Sequence, residues 1–134
     1  MTFKSEFLNE IYNRGFIYQS SDIEELDKLM KNQSIAAYIG FDITSDSLHV
    51  GSLVQLMLLH WLDNYEHTSI ALLGGGTTLV GDPSGKDKTR KILSEDEIEK
   101  NIKNIKNILK KFLDNDNPDT KPIFVNNYTW LKNL

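Results

Sequence analysis

The sequence predicts an α/β fold in which helices flank a parallel sheet. Apolar segments at residues 35–41, 69–73 and 122–126 alternate with stretches that have helical periodicity. Short apolar runs without polar alternation are typical of strands buried on both faces of a parallel sheet. The stretches between the runs are long enough to hold crossover helices, which indicates consecutive βαβ units.

Two helices are predicted ahead of the first strand. Residues 3–12 carry apolar side chains on one helical stripe. Ser21 and Glu24 have the spacing of a capping box, and this pair is expected to open a helix that ends near Lys31. Residues 1–34 are therefore expected to form an N-terminal helical segment that precedes the sheet.

Two further helices connect the predicted strands. Residues 48–65 have apolar side chains at helical spacing, and a second capping box at Ser94 and Glu97 starts the other helix. The buried face of this other helix is expected to consist of Ile98, Ile102, Ile105, Ile108, Leu109 and Phe112. Its lysines, at positions 100, 103, 106, 110 and 111, are expected to form a solvated face rather than a binding patch.

The last predicted element is a helix that continues to the final residue of the chain. A turn at residues 114–118 and the third strand lead into this helix, which covers residues 128–134. Domain boundaries usually fall in exposed linkers rather than inside helices. Residues 35–134 are therefore expected to be the first part of a larger domain, truncated here.

The composition excludes several classes of protein. Hydrophobic residues make up 40% of the chain and charged residues 25%, which excludes wholesale disorder. The absence of cysteine excludes disulfide frameworks, thiolate metal sites and a cysteine nucleophile. A net charge of −4 gives no overall attraction for nucleic acid. Neither a signal peptide nor a membrane span is recognisable, so a soluble cytoplasmic protein is expected.

Glycine is concentrated in one part of the chain. Seven of the eight glycines lie between residues 40 and 85, at the ends of predicted strands. Glycine lets another group approach the backbone closely, and ligands of parallel sheets bind beyond the carboxyl ends of the strands. The cluster therefore predicts a ligand surface built from two loops, although tight turns alone are an alternative explanation.

The first of these loops predicts an anion site. Thr44, Ser47, His49, Gly51 and Ser52 converge on the start of a predicted helix. Unpaired amides and the helix macrodipole favour an anion at that position, and an imidazole can donate a hydrogen bond to a phosphate oxygen. A helix-capping role is the alternative for the histidine, and the polar cluster around it favours the phosphate role.

The second loop, at residues 74–90, contains no established nucleotide motif. It matches neither the Walker A pattern nor the Gly-x-Gly-x-x-Gly pattern. It does hold Asp82 in a predicted tight turn, followed by Lys86 and Arg90. An acid can hold an ammonium group, and two cations can clamp a polyphosphate. The alternative is a polar surface loop without a ligand.

Together the two loops resemble conserved blocks of a known family. Residues 38–52, Tyr-Ile-Gly-Phe-Asp-Ile-Thr-Ser-Asp-Ser-Leu-His-Val-Gly-Ser, resemble the signature region of tyrosyl-tRNA synthetases. The last four of them are similar to the histidine-containing tetrapeptide of class I synthetases. Residues 75–86, Gly-Gly-Thr-Thr-Leu-Val-Gly-Asp-Pro-Ser-Gly-Lys, resemble the second conserved block of the same family. The resemblance implies a Rossmann-like catalytic domain, of which this chain is the N-terminal part.

The resemblance implies an amino-acid pocket formed by four residues. The hydroxyl of Tyr38 would bond the phenol of the substrate L-tyrosine. Asp82, with Thr77 nearby, would hold the α-ammonium group of that substrate. Asp42 would line the place where tyrosine meets the nucleotide.

The resemblance also implies a site for ATP. Gly51 would pack against the adenine nucleotide, and Ser52 would belong to the nucleotide site together with Asp42 and His49. The residues that act on the phosphates as pyrophosphate leaves would be Thr44, His49, Lys86 and Arg90. No protein ligands for a metal are expected, because Mg²⁺ would enter bound to ATP.

The implied reaction has two steps. The carboxylate of tyrosine attacks the α-phosphorus of ATP to give tyrosyl-adenylate and pyrophosphate, and the tyrosyl group then passes to tRNA(Tyr). The first step needs no side-chain nucleophile, because the carboxylate is already ionised, so positioning and transition-state contacts would supply the catalysis. The family implies a homodimer for the full-length protein.

Three alternatives remain open at this point. One is a small nucleotidyltransferase that uses its His-x-Gly loop on ATP, and another is a non-catalytic fragment that binds nucleotide or amino acid. Within the family the nearest rival is a tryptophan-specific enzyme, although Gly-Phe-Asp at 40–42 resembles the tyrosine branch. The family's lysine-rich loop has no match here, so the 134 residues alone are expected to show little aminoacylation activity.

Overall fold

Three parallel strands form the sheet, in the spatial order β1–β2–β3. The computed structural model describes residues 2–80, 93–113 and 121–133. The strands are β1 (Ala36–Phe41), β2 (Thr68–Leu73) and β3 (Ile123–Asn126). The helices are α1 (Glu6–Asn13), α2 (Ile23–Asn32), α3 (Ser52–Asn64), α4 (Gly75–Val80), α5 (Glu95–Leu113) and α6 (Tyr128–Leu131). The predicted α/β class, the parallel sheet and the positions of the three strands are confirmed.

Both long crossover helices pack on one face of the sheet. Helix α3 lies between β1 and β2 in the chain, and α5 lies between β2 and β3, so both connections advance across the sheet in the same direction. Right-handed crossovers that advance in one direction place their helices on one side. The main core lies between these two helices and the sheet. It is formed by Phe41, Ile43, Leu56, Leu59, Ala71, Leu73, Ile98, Ile105, Leu109 and Leu113.

The opposite face of the sheet is open. Along β1 the side chain of Tyr38 is 68% exposed, and its neighbours Ala36 and Gly40 on the same face are exposed as well. Farther across the same face, Ile123 of β3 is 45% exposed. The prediction that the first strand is buried on both faces is therefore wrong. The described crossover helices cover one face only, because both connections run the same way.

A second apolar cluster packs the N-terminal helices against α3. Its buried members are Phe3, Phe7, Leu8, Ile11, Met30 and Leu62. Helix α1 begins after Ser5, whose hydroxyl accepts a hydrogen bond from Leu8 N. Helix α2 is capped by Asp22, whose carboxylate accepts from Glu25 N at 3.0 Å. The cap thus lies one residue later than the predicted cap at Ser21, on an acid that satisfies the same orphan amides.

Helix α5 begins with the predicted capping box. Ser94 N donates to the Glu97 carboxylate at 2.9 Å, and Glu97 N donates to the Ser94 hydroxyl at 3.3 Å. Two details of its predicted face are wrong. Phe112 is 48% exposed in the last turn of the helix, and Asn101, which lies outside the predicted set, is buried. Asn101 is accommodated there because its amide donates to the Ile43 carbonyl at 3.3 Å.

The turn from α3 to β2 uses a residue with a left-handed backbone. Glu66 has a φ of 61°, and its N–H donates to the Asp63 carbonyl at 3.1 Å. His67 N then reaches back to the Leu62 carbonyl at 3.1 Å, which caps the end of the helix. A residue with a Cβ is strained in this conformation, and glycine is not.

Two buried polar side chains lie beside this turn. Asp63 is buried, and its carboxylate accepts a hydrogen bond from Ser69 N at 3.1 Å, while burial raises its pKa above the ordinary value. The imidazole of His67 is also buried, accepts from Ile35 N through Nδ1 at 3.3 Å, and lies edge-on to the Phe7 ring. Burial lowers the pKa of His67, so the native state favours the neutral ring.

Replacement of Glu66 by glycine is expected to stabilise the chain. The substitution removes the strain of the positive φ and should raise the free energy of unfolding by about 1 kcal/mol. Glu99, an exposed residue within α5, provides the matched control, because glycine there should lower the free energy by about 1 kcal/mol. Urea denaturation of both variants measures the difference, and equal losses of stability would contradict this account of the turn.

Stability is expected to fall as the pH drops below about 6.5, the ordinary pKa of histidine. Below this pH the unfolded chain binds a proton at His67 more readily than the native state does. The free energy of unfolding then falls by at most about 1.4 kcal/mol per pH unit. Asp63 acts with the opposite sign, because its raised pKa favours proton binding by the native state. In the variant His67→Gln, the decrease in the free energy of unfolding that His67 causes at low pH should therefore be absent. Urea denaturation across this pH range measures it. An unchanged pH profile would show that His67 is not its source.

Candidate functional site

The carboxyl ends of the three strands meet at one edge of the sheet. The register pairs Phe41 with Leu73 and Leu73 with Asn126, so the segments that follow these residues lie side by side. The segment after β1 leads to α3, the segment after β2 enters α4, and the segment after β3 enters α6. This edge is where open parallel sheets bind ligands.

The segment after β1 is anchored by one buried residue between two exposed ones. Ile43 is fully buried, its N–H donates to the Thr78 hydroxyl at 3.1 Å, and its carbonyl accepts from the Asn101 amide. Asp42 and Thr44, on either side of it, are exposed. The buried anchor thus leaves its two polar neighbours available to a ligand.

The same segment ends at the N-terminus of α3. His49 and Gly51 are exposed, whereas Ser52, the first residue of the helix, is only 6% exposed. Ser52 N donates to the His49 carbonyl at 2.9 Å, and Gly51 N donates to Nδ1 of the imidazole at 3.0 Å. The structure thus brings His49 to a helix N-terminus, as predicted, with the ring held against the backbone.

The segment after β2 is not the predicted loop, because it begins with a short helix. Gly74 N donates to the Phe41 carbonyl at 2.9 Å, and Gly75–Val80 then form α4. A Cβ on Gly75 would lie 2.5 Å from Oδ1 of Asn126, and one on Gly76 would lie 3.1 Å from the Tyr128 Cα. This close approach explains why two glycines start a helix despite their poor helix propensity.

The buried glycines at the start of α4 correct one prediction. Gly74, Gly75 and Gly76 are buried against other parts of this chain, so they do not offer the ligand surface that the glycine cluster predicted. Gly40 is different, because a Cβ built there would meet no atom within 4 Å. The open space at this edge of the sheet therefore lies over β1, between the exposed Tyr38 and the exposed Asp42.

One asparagine connects the ends of β2 and β3. Asn127 is buried, its Oδ1 accepts from Gly76 N at 2.7 Å, and its Nδ2 donates to the Thr77 hydroxyl at 3.2 Å. The Thr77 hydroxyl in turn donates to the Gly74 carbonyl at 3.1 Å. Thr77 is exposed, and its oxygen retains one lone pair for a ligand that donates a hydrogen bond.

Sequence reasoning missed the residues that fix these segments. Thr78, Asn101 and Asn127 satisfy backbone groups, and the side chain of Asn126 accepts from Tyr128 N, at the first residue of α6, at 3.1 Å. A pair of asparagines directly between a strand and a helix was the one available signal, because asparagine favours helix N-termini.

Three of the predicted site residues lie outside the described part of the chain. They are Asp82, Lys86 and Arg90. Among residues 2–80, 93–113 and 121–133, no group of three or more His, Asp or Glu side chains could hold a metal ion. None of the helices in these ranges is long and apolar enough to cross a membrane.

The arrangement can bind an anion without a nucleophile. The start of α3 offers the positive end of the helix dipole and the His49 imidazole, and Thr44 is exposed on the segment that leads to this helix. Beside it, the open face offers the phenol of Tyr38 and the carboxylate of Asp42. These groups suit a ligand that joins a phosphate to a polar organic group.

Comparisons with known proteins agree with this picture. A family profile described as tRNA synthetases class I (W and Y) matches residues 30–134. A tyrosine–tRNA ligase of Pelagibacter ubique is 65% identical over 130 residues, which are 97% of this chain and 32% of that protein. A tyrosine–tRNA ligase of Rhodospirillum rubrum is 47% identical over 131 residues, which are 98% of this chain and 31% of that protein.

Solved structures give the same result for the fold. A C-terminally truncated mitochondrial tyrosyl-tRNA synthetase of Aspergillus nidulans has a TM-score of 0.82 at 26% identity, over 94% of this chain and 38% of that one. The corresponding protein of Coccidioides posadasii has a TM-score of 0.75 at 27% identity, over 94% and 36%. The chain therefore spans about a third of the length of the curated relatives that it matches.

Removal of the Asn127 side chain is expected to destabilise the fold. In Asn127→Ala the buried Gly76 N–H loses its acceptor, which should lower the free energy of unfolding by about 1–3 kcal/mol. Asn107→Ala is the matched control, because this asparagine is exposed on α5 and alanine there should be neutral or slightly stabilising. Urea denaturation compares them, and similar stability of both variants would show that the Asn127 bond is dispensable.

Proposed function

Since the chain belongs to the class I tRNA synthetases of the tryptophan and tyrosine group, we propose that it forms the ATP- and tyrosine-binding part of a tyrosine–tRNA ligase. One observation carries the proposal. The exposed loop that ends at His49 lies at the N-terminus of α3, on the strand end that also carries the open space over Gly40. In this proposal the phosphate site and the site for an organic group are adjacent.

The tyrosine half of the proposal uses the open face of β1. Tyr38 would bond the phenol of the substrate, and Asp42 would lie where the substrate carboxylate meets ATP. Thr77 would join Asp82 at the α-ammonium group. The hydrogen bonds of Thr77 support this role, because its hydroxyl proton is already donated to the Gly74 carbonyl. Its remaining lone pair can only accept, and an ammonium group can only donate.

The ATP half of the proposal uses the start of α3. Thr44 and His49 would donate hydrogen bonds to phosphate oxygens, and Lys86 and Arg90 would neutralise the departing pyrophosphate. Ser52 belongs to this site through its position at the first turn of the helix, where its buried side chain favours a role in holding the loop. Mg²⁺ would supply charge neutralisation to the phosphates of bound ATP.

The chemistry proposed for this site is adenylation by positioning. The ionised carboxylate of tyrosine attacks the α-phosphorus, the bond from that phosphorus to the β-phosphate bridging oxygen breaks, and pyrophosphate leaves. Donors fixed at a helix N-terminus stabilise the charge that develops on the phosphate oxygens. A hydroxyl of the terminal ribose of the transfer RNA then attacks the tyrosyl carbonyl, the anhydride bond to the adenylate breaks, and AMP leaves.

The proposal extends to the partners that the family implies. They are L-tyrosine, ATP and tRNA(Tyr), with a homodimeric full-length protein in the cytoplasm. The names of the relatives support the amino acid and the transfer RNA, because both are called tyrosine–tRNA ligases.

A chimera tests the proposed function. The part of the Pelagibacter ubique relative that aligns with this chain, 130 residues at 65% identity, is replaced by the present sequence. Tyrosine-dependent exchange of pyrophosphate into ATP is then measured, with tryptophan in place of tyrosine as the specificity control. Exchange with tyrosine is the expected result. Exchange only with tryptophan, or none in a folded chimera, would overturn the proposal.

Within the chimera, His49→Ala is expected to lower the exchange rate by about 10²- to 10³-fold, because it removes one donor to the phosphates. His60 supplies the matched control, since it is half-buried on α3 and pairs with Asn64 instead of facing the site. The variant His60→Ala should retain exchange within about threefold of the parent. A loss in His60→Ala as large as that in His49→Ala would contradict the phosphate role.

A further inference from the structure

We propose that Gly51 is the positioning residue for His49. Its backbone N–H holds the imidazole in a single tautomer, in which the Nε2–H group is the one offered to a ligand. The tautomer follows from contacts within this chain, whereas the identity of the ligand as a phosphate rests on the proposed function.

The hydrogen bond between the two residues defines the tautomer. Gly51 N lies 3.0 Å from Nδ1 of His49 and donates its proton to that nitrogen. A backbone amide can only donate, so Nδ1 must accept and cannot carry a proton of its own. The proton of the neutral ring is then on Nε2, on the other side of the imidazole.

The missing side chain of Gly51 makes this contact possible. A Cβ built on Gly51 would lie 2.6 Å from Cε1 and 2.9 Å from Nδ1 of His49. The backbone of Gly51 has a φ of −61° and a ψ of −28°, which every residue adopts without strain. Glycine is therefore required here for the approach of the imidazole and not for an unusual backbone conformation.

The arrangement determines how His49 would meet an anion. The ring is exposed, so its Nε2–H group is accessible to a ligand at the start of α3. A proton on Nδ1 would face the Gly51 N–H donor and break the contact. In this tautomer the imidazole contributes one directed hydrogen bond, from Nε2–H.

This role differs from the one that the resemblance implies for Gly51, which is to pack against the adenine nucleotide. The atoms nearest to an added methyl group belong to the imidazole of this chain. Both roles predict that alanine at position 51 is harmful, but they differ in whether the harm depends on His49.

Imidazole nitrogen shifts test the tautomer directly. The 134-residue chain is labelled with ¹⁵N, and long-range ¹H–¹⁵N correlation spectra are recorded near pH 8, above the ordinary histidine range. Its three histidines give three spin systems, and His49→Gln assigns the relevant one. For His49 the expected spectrum has an unprotonated Nδ1 and a protonated Nε2. A protonated Nδ1, or averaged shifts, would overturn the proposal.

Glycine-to-alanine variants test the cause. In Gly51→Ala the two nitrogen shifts of His49 are expected to move toward their tautomeric average. Gly40→Ala is the matched control for this spectrum, because a methyl group there would meet no atom within 4 Å. The His49 signals should be unchanged in the control. Unchanged signals in Gly51→Ala would show that the glycine does not position the ring.

Two further measurements separate this proposal from the proposed function. With ATP added to the labelled chain, the His49 Nε2–H resonance is expected to shift. If it does not, while the tautomer and its dependence on Gly51 are as expected, the phosphate role fails and the positioning stands. If ATP shifts the resonance in a ring that is not held in the Nε2–H form, the positioning fails and the phosphate role stands.

In the chimera, Gly51→Ala is expected to lower exchange at least about tenfold when His49 is present. It should change exchange less than about twofold in the His49→Ala background, because residues that act through one contact are not additive. Equal losses in both backgrounds would support adenine packing and overturn the positioning role.

Discussion

The handedness of the two crossovers is the constraint on which the rest of the structure depends. Because α3 and α5 both connect strands in the same direction across the sheet, a right-handed path places them on the same face. Their apolar stripes then build one core, and the strands end together at one edge. The same constraint leaves the Tyr38 side of the sheet open, so the face available to a ligand is a consequence of topology before any binding residue is considered.

The segments that follow the strands have a defined conformation because their buried backbone groups form hydrogen bonds within the protein. Thr78 and Asn101 bond the two backbone groups of Ile43, and Asn127 accepts from the Gly76 N–H. A buried polar group without a partner costs about 1–3 kcal/mol, so these bonds select one arrangement of the segments. Because these bonds hold the backbone around Ile43, the polar side chains next to it, Asp42 and Thr44, are exposed.

Features that depend on neighbouring residues along the chain can be predicted from the sequence. Apolar runs identified all three strands, and the pair Ser94 and Glu97 identified the start of α5, because each depends on neighbours along the chain. Exposure of β1 on one face depends on the direction of two distant crossovers, and no local run encodes it. Phe112 fits the same helical stripe in the sequence, but it lies in the last turn of α5 and is 48% exposed, whereas Asn101 is buried because its amide has a partner on another segment. The roles of the described site residues remain predictions.

Glycine shows most clearly why residue type alone does not locate a site. Gly75 has Asn126 and Ile102 within 3.0 Å of where a Cβ would lie, so protein atoms fill the space that its side chain leaves. At Gly51 the imidazole two residues earlier fills this space, whereas at Gly40 no atom lies within 4 Å of where a Cβ would be. One residue type therefore serves close packing, positioning and an open surface in a single cluster. Because a ligand needs the third of these, the surface proposed for the organic substrate is the one over β1, beside the phosphate site proposed at α3.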